Sequence, residues 1–236
     1  MRNSVSSALA CVALLAAPAV AQESDSQEIV VTGSRLTEYD PKETPHVTLV
    51  KRADNLITEV TVVCDTRDLS QRQAELKATL RHMIKAAAED KTVELGLGDE
   101  VVGQFDDTML DAVIRPSGRP DTSQAVVVVK TAVGASDSFD TASSRIKKFV
   151  ERTPKVGRTE MLLNDEWQLT IVGPGRYRVD VARLVAQDAA RMAEMFGPNY
   201  GVEVKDLQLP VSWYQSGPLD LALYIPYTLV VRPLGR

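Results

Sequence analysis

The sequence predicts an α+β fold, an antiparallel or mixed sheet with about three helices packed on it. Two observations carry this. Three segments repeat apolar residues at the three- and four-residue steps of a helical face. The stretches between them alternate apolar and polar residues with period 2, and their order mixes hairpin-like spacings with helical crossovers.

Taken in order, residues 1–21 read as a secretion signal. Arg2 is the first charge and Glu23 the next; residues 8–17 are apolar, and Ala19-Val20-Ala21 is a small-x-small cleavage site. The apolar run is shorter than the roughly 20 residues a spanning helix needs. Cys11 lacks the leucine three positions before it that a lipoprotein site carries. Cleavage after Ala21 would leave 215 residues, with 26 lysines and arginines against 32 acids, a net charge of −6. A mildly acidic chain without a basic cluster argues against nucleic acid and against docking on anionic lipid. Residues 22–45 are polar, with Pro41 and Pro45, and read as a flexible leader.

Residues 46–233 form the predicted domain. Residues 47–51 and 56–64 are β-rich around the turn pair Asp54-Asn55, with Leu56, Thr58, Val60, Val62 and Cys64 on one face. Ser70 and Gln73 read as a capping box for a helix whose stripe is Leu76, Leu80, Met83, Ile84 and Ala87. Val93, Leu95 and Leu97 alternate as a short strand. Pro116, Gly118 and Pro120 mark a loop or an edge hairpin. The apolar run 125–133 predicts a central strand buried on both faces. Asp137 is the expected cap of a second helix, with Phe139, Ala142, Ile146, Phe149 and Val150 inward. Residues 161–163 and 167–172 read as two short strands around an Asn164-Asp165 turn.

A third helix follows, with Val181, Leu184, Val185, Ala189, Met192, Met195 and Phe196 on one face and a Gly197-Pro198 stop. Val202 and Val204 then alternate out of phase with Leu207, Leu209, Val211 and Trp213, which places a bulge or kink at Lys205-Asp206. Residues 219–231 read as one long strand. Pro226 within it makes it an edge or distorts it.

Two resemblances add to this. The segment Glu28-Ile29-Val30-Val31-Thr32-Gly33-Ser34-Arg35 resembles the amino-terminal segment of TonB-dependent outer-membrane receptors. It implies strand addition to a TonB-like periplasmic partner. A receptor barrel of about 22 strands does not fit a chain of this length. The organisation of residues 46–233 resembles the SIMPL family, above all in the alanine-rich helix from Ala182 through Ala193 that runs by Gly197 into Gly201-Val202-Glu203-Val204. Where that family carries a glycine-rich strand and a Pro-Asp near its start, this chain has Arg52-Ala53-Asp54; residues 29–33 are an alternative first strand. The resemblance implies a periplasmic or outer-membrane-associated protein, with ring-like oligomers in some members and no enzymatic activity established for the family.

The residues themselves offer little chemistry. His46 and His82 lack partners at metal-ligand spacing and read as solvated structural residues. No Gly-x-Ser-x-Gly is present. Asp106-Asp107 could suit acid–base chemistry or calcium, but in a Gly- and Pro-bounded loop they read first as solvated surface acids. Gly173-Pro174-Gly175 with Arg176 and Arg178 suits an anion cradle or a tight turn. Gly96-x-Gly98 lacks the third glycine of a dinucleotide loop. Cys64 is the one cysteine left after processing, a small buried residue or an intermolecular disulfide partner. The expectation is a non-enzymatic envelope protein without catalytic, cofactor or metal residues. Its contacts would be homo-oligomeric, through Tyr224 and Tyr227 on the long strand. The alternatives are an accessory of TonB-dependent transport, binding through Glu28, Ile29, Val30, Val31, Thr32 and Gly33, and an unrecognised hydrolase.

Overall fold

The computed structural model describes residues 46–98 and 103–234. The segments read above as a secretion signal and a leader, with residues 28–35, lie outside these residues. Two strands open the fold, β1 (Leu49–Arg52) and β2 (Asn55–Cys64), followed by helix α1 (Leu69–Glu89). Then come β3 (Val93–Leu97), β4 (Gly103–Gln104), the one-turn helix α2 (Leu110–Val113), β5 (Arg115–Pro116) and β6 (Ser123–Ala132). Helix α3 (Phe139–Arg152) leads to β7 (Thr159–Thr170), and helix α4 (Arg178–Phe196) to β8 (Tyr200–Lys205). The chain closes with β9 (Ser212–Gln215), β10 (Asp220–Tyr224) and β11 (Thr228–Pro233). The α+β class is as the sequence predicts, and every strand pairing is antiparallel.

The strands make three sheets rather than one. The largest has the order β4-β3-β6-β2-β7, with β5 on the start of β6. In it β2 pairs with β6 and β7 along its length. One face carries Val60, Val62, Ala125, Val127 and Val129, which bury Leu76, Leu80 and Met83 of α1 and Ile146 and Phe149 of α3. As expected, β6 is buried on both faces: Val128 and Lys130 are buried opposite Val127 and Val129, and Lys130 is neutralised by Glu94. A second sheet, β1-β10-β9, builds another core in which Leu221, Leu223 and Trp213 meet Val181 of α4 and Leu56 and Leu169 of the large sheet. Trp167 borders both cores. The third sheet is a two-stranded ribbon, β8 with β11.

Several elements differ from expectation. The cap of α1 is Asp68, whose carboxylate accepts from the Gln71 N–H at 2.7 Å; Ser70 lies inside the first turn. The cap of α3 is Ser138, because Asp137 instead accepts from Gly134 N and pairs with Arg145. Asn164-Asp165 is no hairpin turn but part of a bulge in the single strand β7. Leu163 faces Val60 and Trp167 faces Thr58, so three residues oppose one. The Thr58 hydroxyl lies 3.0 Å from the Asn164 carbonyl and 2.9 Å from that of Glu166, which anchors the bulge. The long terminal strand is broken at residues 225–227. Pro226 has no N–H to donate, and the chain changes partner there, from β9 and β1 to β8. Strand β10 is thus internal, not an edge. The kink expected at Lys205-Asp206 is present: β8 ends at Lys205, and Asp206 takes a φ of +69°.

Helix α4 has the predicted span, but its burial stops early. Val181, Val185 and Ala189 are buried, and Met195 and Phe196 are exposed. A straight helix rises about 1.5 Å per residue. Its first three turns reach across the core, and its last two extend past it. Gly197 ends it with φ +90° and ψ 175°, a region open essentially to glycine alone, rather than the left-handed helical cap expected.

Candidate functional site

Two features outside the cores have the makings of a site. The first is the end of α4 with the β8–β11 ribbon. Met195 is 77% exposed, Phe196 50%, Tyr200 42% and Leu234 59%. Phe196, Tyr200 and Leu234 gather at one end of the ribbon, with Met195 next to Phe196 in the last turn of α4. The Phe196 and Tyr200 rings lie 6.2 Å apart, Tyr200 pairs across the ribbon with Pro233, and Leu234 N donates to the Asn199 carbonyl at 2.7 Å. Glycine at 201 leaves room for Leu234, whose Cδ2 would lie 2.9 Å from any Cβ there. Among the described residues β8 pairs only with β11 and β11 only with β8, so both outer edges keep unpaired backbone groups. An isolated two-stranded ribbon is marginal in water. The charges on it are balanced locally: Glu203 pairs with Arg232 at 2.8 Å and with Lys205 at 3.8 Å.

The second feature is a polar cleft of 840 Å³ at the end of the central sheet, where β2 stops at Cys64. Its walls are the β5–β6 turn and the start of β7, which run on past the end of β2. Beneath it lies Glu75 of α1, which accepts from Thr66 Oγ1 (2.6 Å), Gln71 Nε2 (2.9 Å), Arg158 N (3.1 Å) and Cys64 Sγ (3.3 Å). The Thr66 hydroxyl is the largest cause, and together these donors hold the carboxyl down at about 2. Gly157, at φ +60°, lies against this carboxylate, and a Cβ there would come 2.1 Å from Glu75 Cδ. Arg158 grips Asp65 through two bonds of 2.6 and 2.8 Å, which lowers the aspartate. Thr159, which lines the cleft, has a buried Oγ1 without a hydrogen-bond partner among the described residues. Cys64 is thus a buried donor inside this network.

The residues singled out in sequence occupy other roles. Tyr224 is only 4% exposed, its ring 6.1 Å from that of Tyr214. Tyr227 is half-buried beside Asp188 and the Val47 backbone, and burial raises its phenol above the ordinary value. Asp106 accepts from Thr108 N, and Asp107 pairs with Arg81 at 2.9 Å. His82 Nδ1 lies 3.0 Å from the Pro154 carbonyl. The arginines after Gly173 hold structure instead of framing a cradle. Arg176 bonds Asp54 at 2.9 Å, and Arg178 reaches the Leu207 and Leu209 carbonyls. Trp167 stacks edge-on against Phe139 at 5.7 Å. Among the described residues no helix is long and apolar enough to cross a membrane. The sequence search missed both features. The cleft is assembled from three separate segments, and the ribbon depends on a partner change that only Pro226 signals. No protein-family model matches the sequence, and a search of curated proteins returns no match.

Proposed function

We propose that the chain is an exported protein of the cell envelope, on a SIMPL-like scaffold, that works by self-association rather than by catalysis. The carrying observation is the exposed apolar patch of Met195, Phe196, Tyr200 and Leu234 beside a ribbon with two open edges. A second copy is the occupant that fits. Antiparallel edges are self-complementary about a two-fold axis. The flanking charges Glu203, Lys205 and Arg232 are of both signs and already paired, so a copy meets no field of its own sign. The contact therefore moves from Tyr224, whose surface is spent inside the protomer, and from half-buried Tyr227, beside the Thr228–Lys205 end of the ribbon, to its Tyr200–Pro233 end. The resemblance in organisation, an alanine-rich helix running through Gly197 into β8, supports the scaffold. Asp106, Asp107 and His82, considered for chemistry, are engaged in a cap, an ion pair and a backbone contact, which favours an interaction role. Sedimentation of residues 22–236 tests this. The Phe196→Glu variant should sediment as a monomer and, at a dilution where the unmutated chain is also monomeric, share its urea midpoint; an unaltered association would remove the patch from the contact. A second proposal rests on residues 28–35 as a strand donated to a TonB-like partner. Loss of binding to a TonB carboxy-terminal domain on deleting those residues tests it independently.

A further inference from the structure

We propose that the cleft at the end of β2 is a binding site for a short peptide with free termini. Six ionic side chains line it: Asp65, Arg67, Arg119, Asp121, Arg158 and Glu160. Arg158 and Asp65 are committed to each other. The side chains of Arg67, Arg119, Asp121 and Glu160 carry no ion pair among the described residues. The open charges are thus two guanidiniums and two carboxylates. A simple anion would meet two carboxylates, and a simple cation two guanidiniums. Such like-charge contacts reject the wrong ligand as effectively as good contacts select the right one. A zwitterion satisfies all four, its carboxylate on the arginine forks and its ammonium on Asp121 and Glu160.

Size and rigidity narrow the class. Ligand sites commonly run from about 300 to 1,000 Å³, and 840 Å³ is roomy for a free amino acid and suits a peptide of a few residues. The backbone carrying these side chains is pinned. Arg67 lies between Thr66, bonded to Glu75, and the cap residue Asp68, and its own carbonyl accepts from Arg72 at 3.1 Å. Arg119 sits in a turn closed by Ser117 N to the Thr122 carbonyl at 3.0 Å, with Arg119 N on Ser117 Oγ at 3.2 Å. Asp121 in the same turn is held at φ +51°, a conformation uncommon outside glycine. Glu160 follows Thr159, which is in register with Cys64. With the backbone pinned, only the side-chain rotamers remain to be ordered on binding.

The test is calorimetric titration of residues 22–236 with trialanine, with N-acetyl-trialanine amide and with inorganic phosphate, alongside amide shifts by NMR. Trialanine should saturate and shift residues 119–122 and 157–160. The blocked peptide should bind at least about tenfold more weakly, as should trialanine to Arg67→Ala/Arg119→Ala and to Asp121→Asn/Glu160→Gln. These four side chains are outside the cores, so the urea midpoints should hold. Absence of saturable trialanine binding, equal binding of free and blocked peptide, displacement of trialanine by phosphate, or indifference to both double variants would each overturn the assignment.

Discussion

Substituting Gly157 probes the network under the cleft, and Gly173 supplies a built-in control. Both glycines have nearly the same positive φ, +60° and +56°. A Cβ at 173 meets nothing within 4 Å, whereas at 157 it meets Glu75 Cδ at 2.1 Å and the two carboxylate oxygens at 2.3 and 2.5 Å. Gly173→Ala should therefore cost only the left-handed penalty, about 1–2 kcal/mol. Gly157→Ala carries the same penalty and must also expel the carboxylate. That leaves the Thr66 hydroxyl and its fellow donors without their acceptor, and a buried donor left unpaired costs about 1–3 kcal/mol. Urea unfolding at neutral pH should place Gly157→Ala at least about 1 kcal/mol below Gly173→Ala. In a Glu75→Ala background the extra cost should vanish, since the colliding group is gone. Equal effects of the two glycine substitutions, or an extra cost that survives Glu75→Ala, would refute the contact.

Other predictions follow from the same geometry. Glu75 has its carboxyl lowered from 4.5 to about 2. Its contribution to stability is complete above pH 4.5 and lost as pH falls from there toward 2. The urea midpoint should decline over that window, and less steeply in Glu75→Gln; identical slopes would contradict the hydrogen bonds to the carboxylate. Asp68→Ala should cost about 1 kcal/mol as the loss of a cap, and Ser70→Ala less than about 0.5 kcal/mol. The reverse order in urea unfolding would restore Ser70 as the cap. Leu80→Ala should cost about 2–5 kcal/mol from the core of α1, and Met195→Ala within about 0.5 kcal/mol at a dilution where the chain is monomeric and this side chain meets solvent.

The three long helices are legible because their apolar residues fall on one face, and β2 and β6 because a run such as 125–129 suits a strand covered on both sides. Local chemistry misleads where two residues compete for one role. Asp68 and Ser70 both suit a cap, and only the helix start decides between them. Asn164-Asp165 has turn chemistry, yet both flanks stay on β2 because the Thr58 hydroxyl anchors the loop between them. The break at residues 225–227 leaves the period-2 alternation intact, so only Pro226 hints that the chain changes partners. Exposure of Phe196 depends on where the core beneath α4 ends, which periodicity does not encode. The cleft is hidden for a similar reason: residues 65–67, 119–122 and 157–160 meet only once β6 and β7 flank β2.

The most direct measurement of the central claim is the light-scattering mass of the chain from Gln22 onward, across a concentration series. Self-association through the ribbon end predicts a mass of at least twice that of one chain at tens of micromolar, falling toward that of a single chain on dilution. A constant single-chain mass at those concentrations would contradict it, and the patch around Phe196 and Tyr200 would then need a different partner.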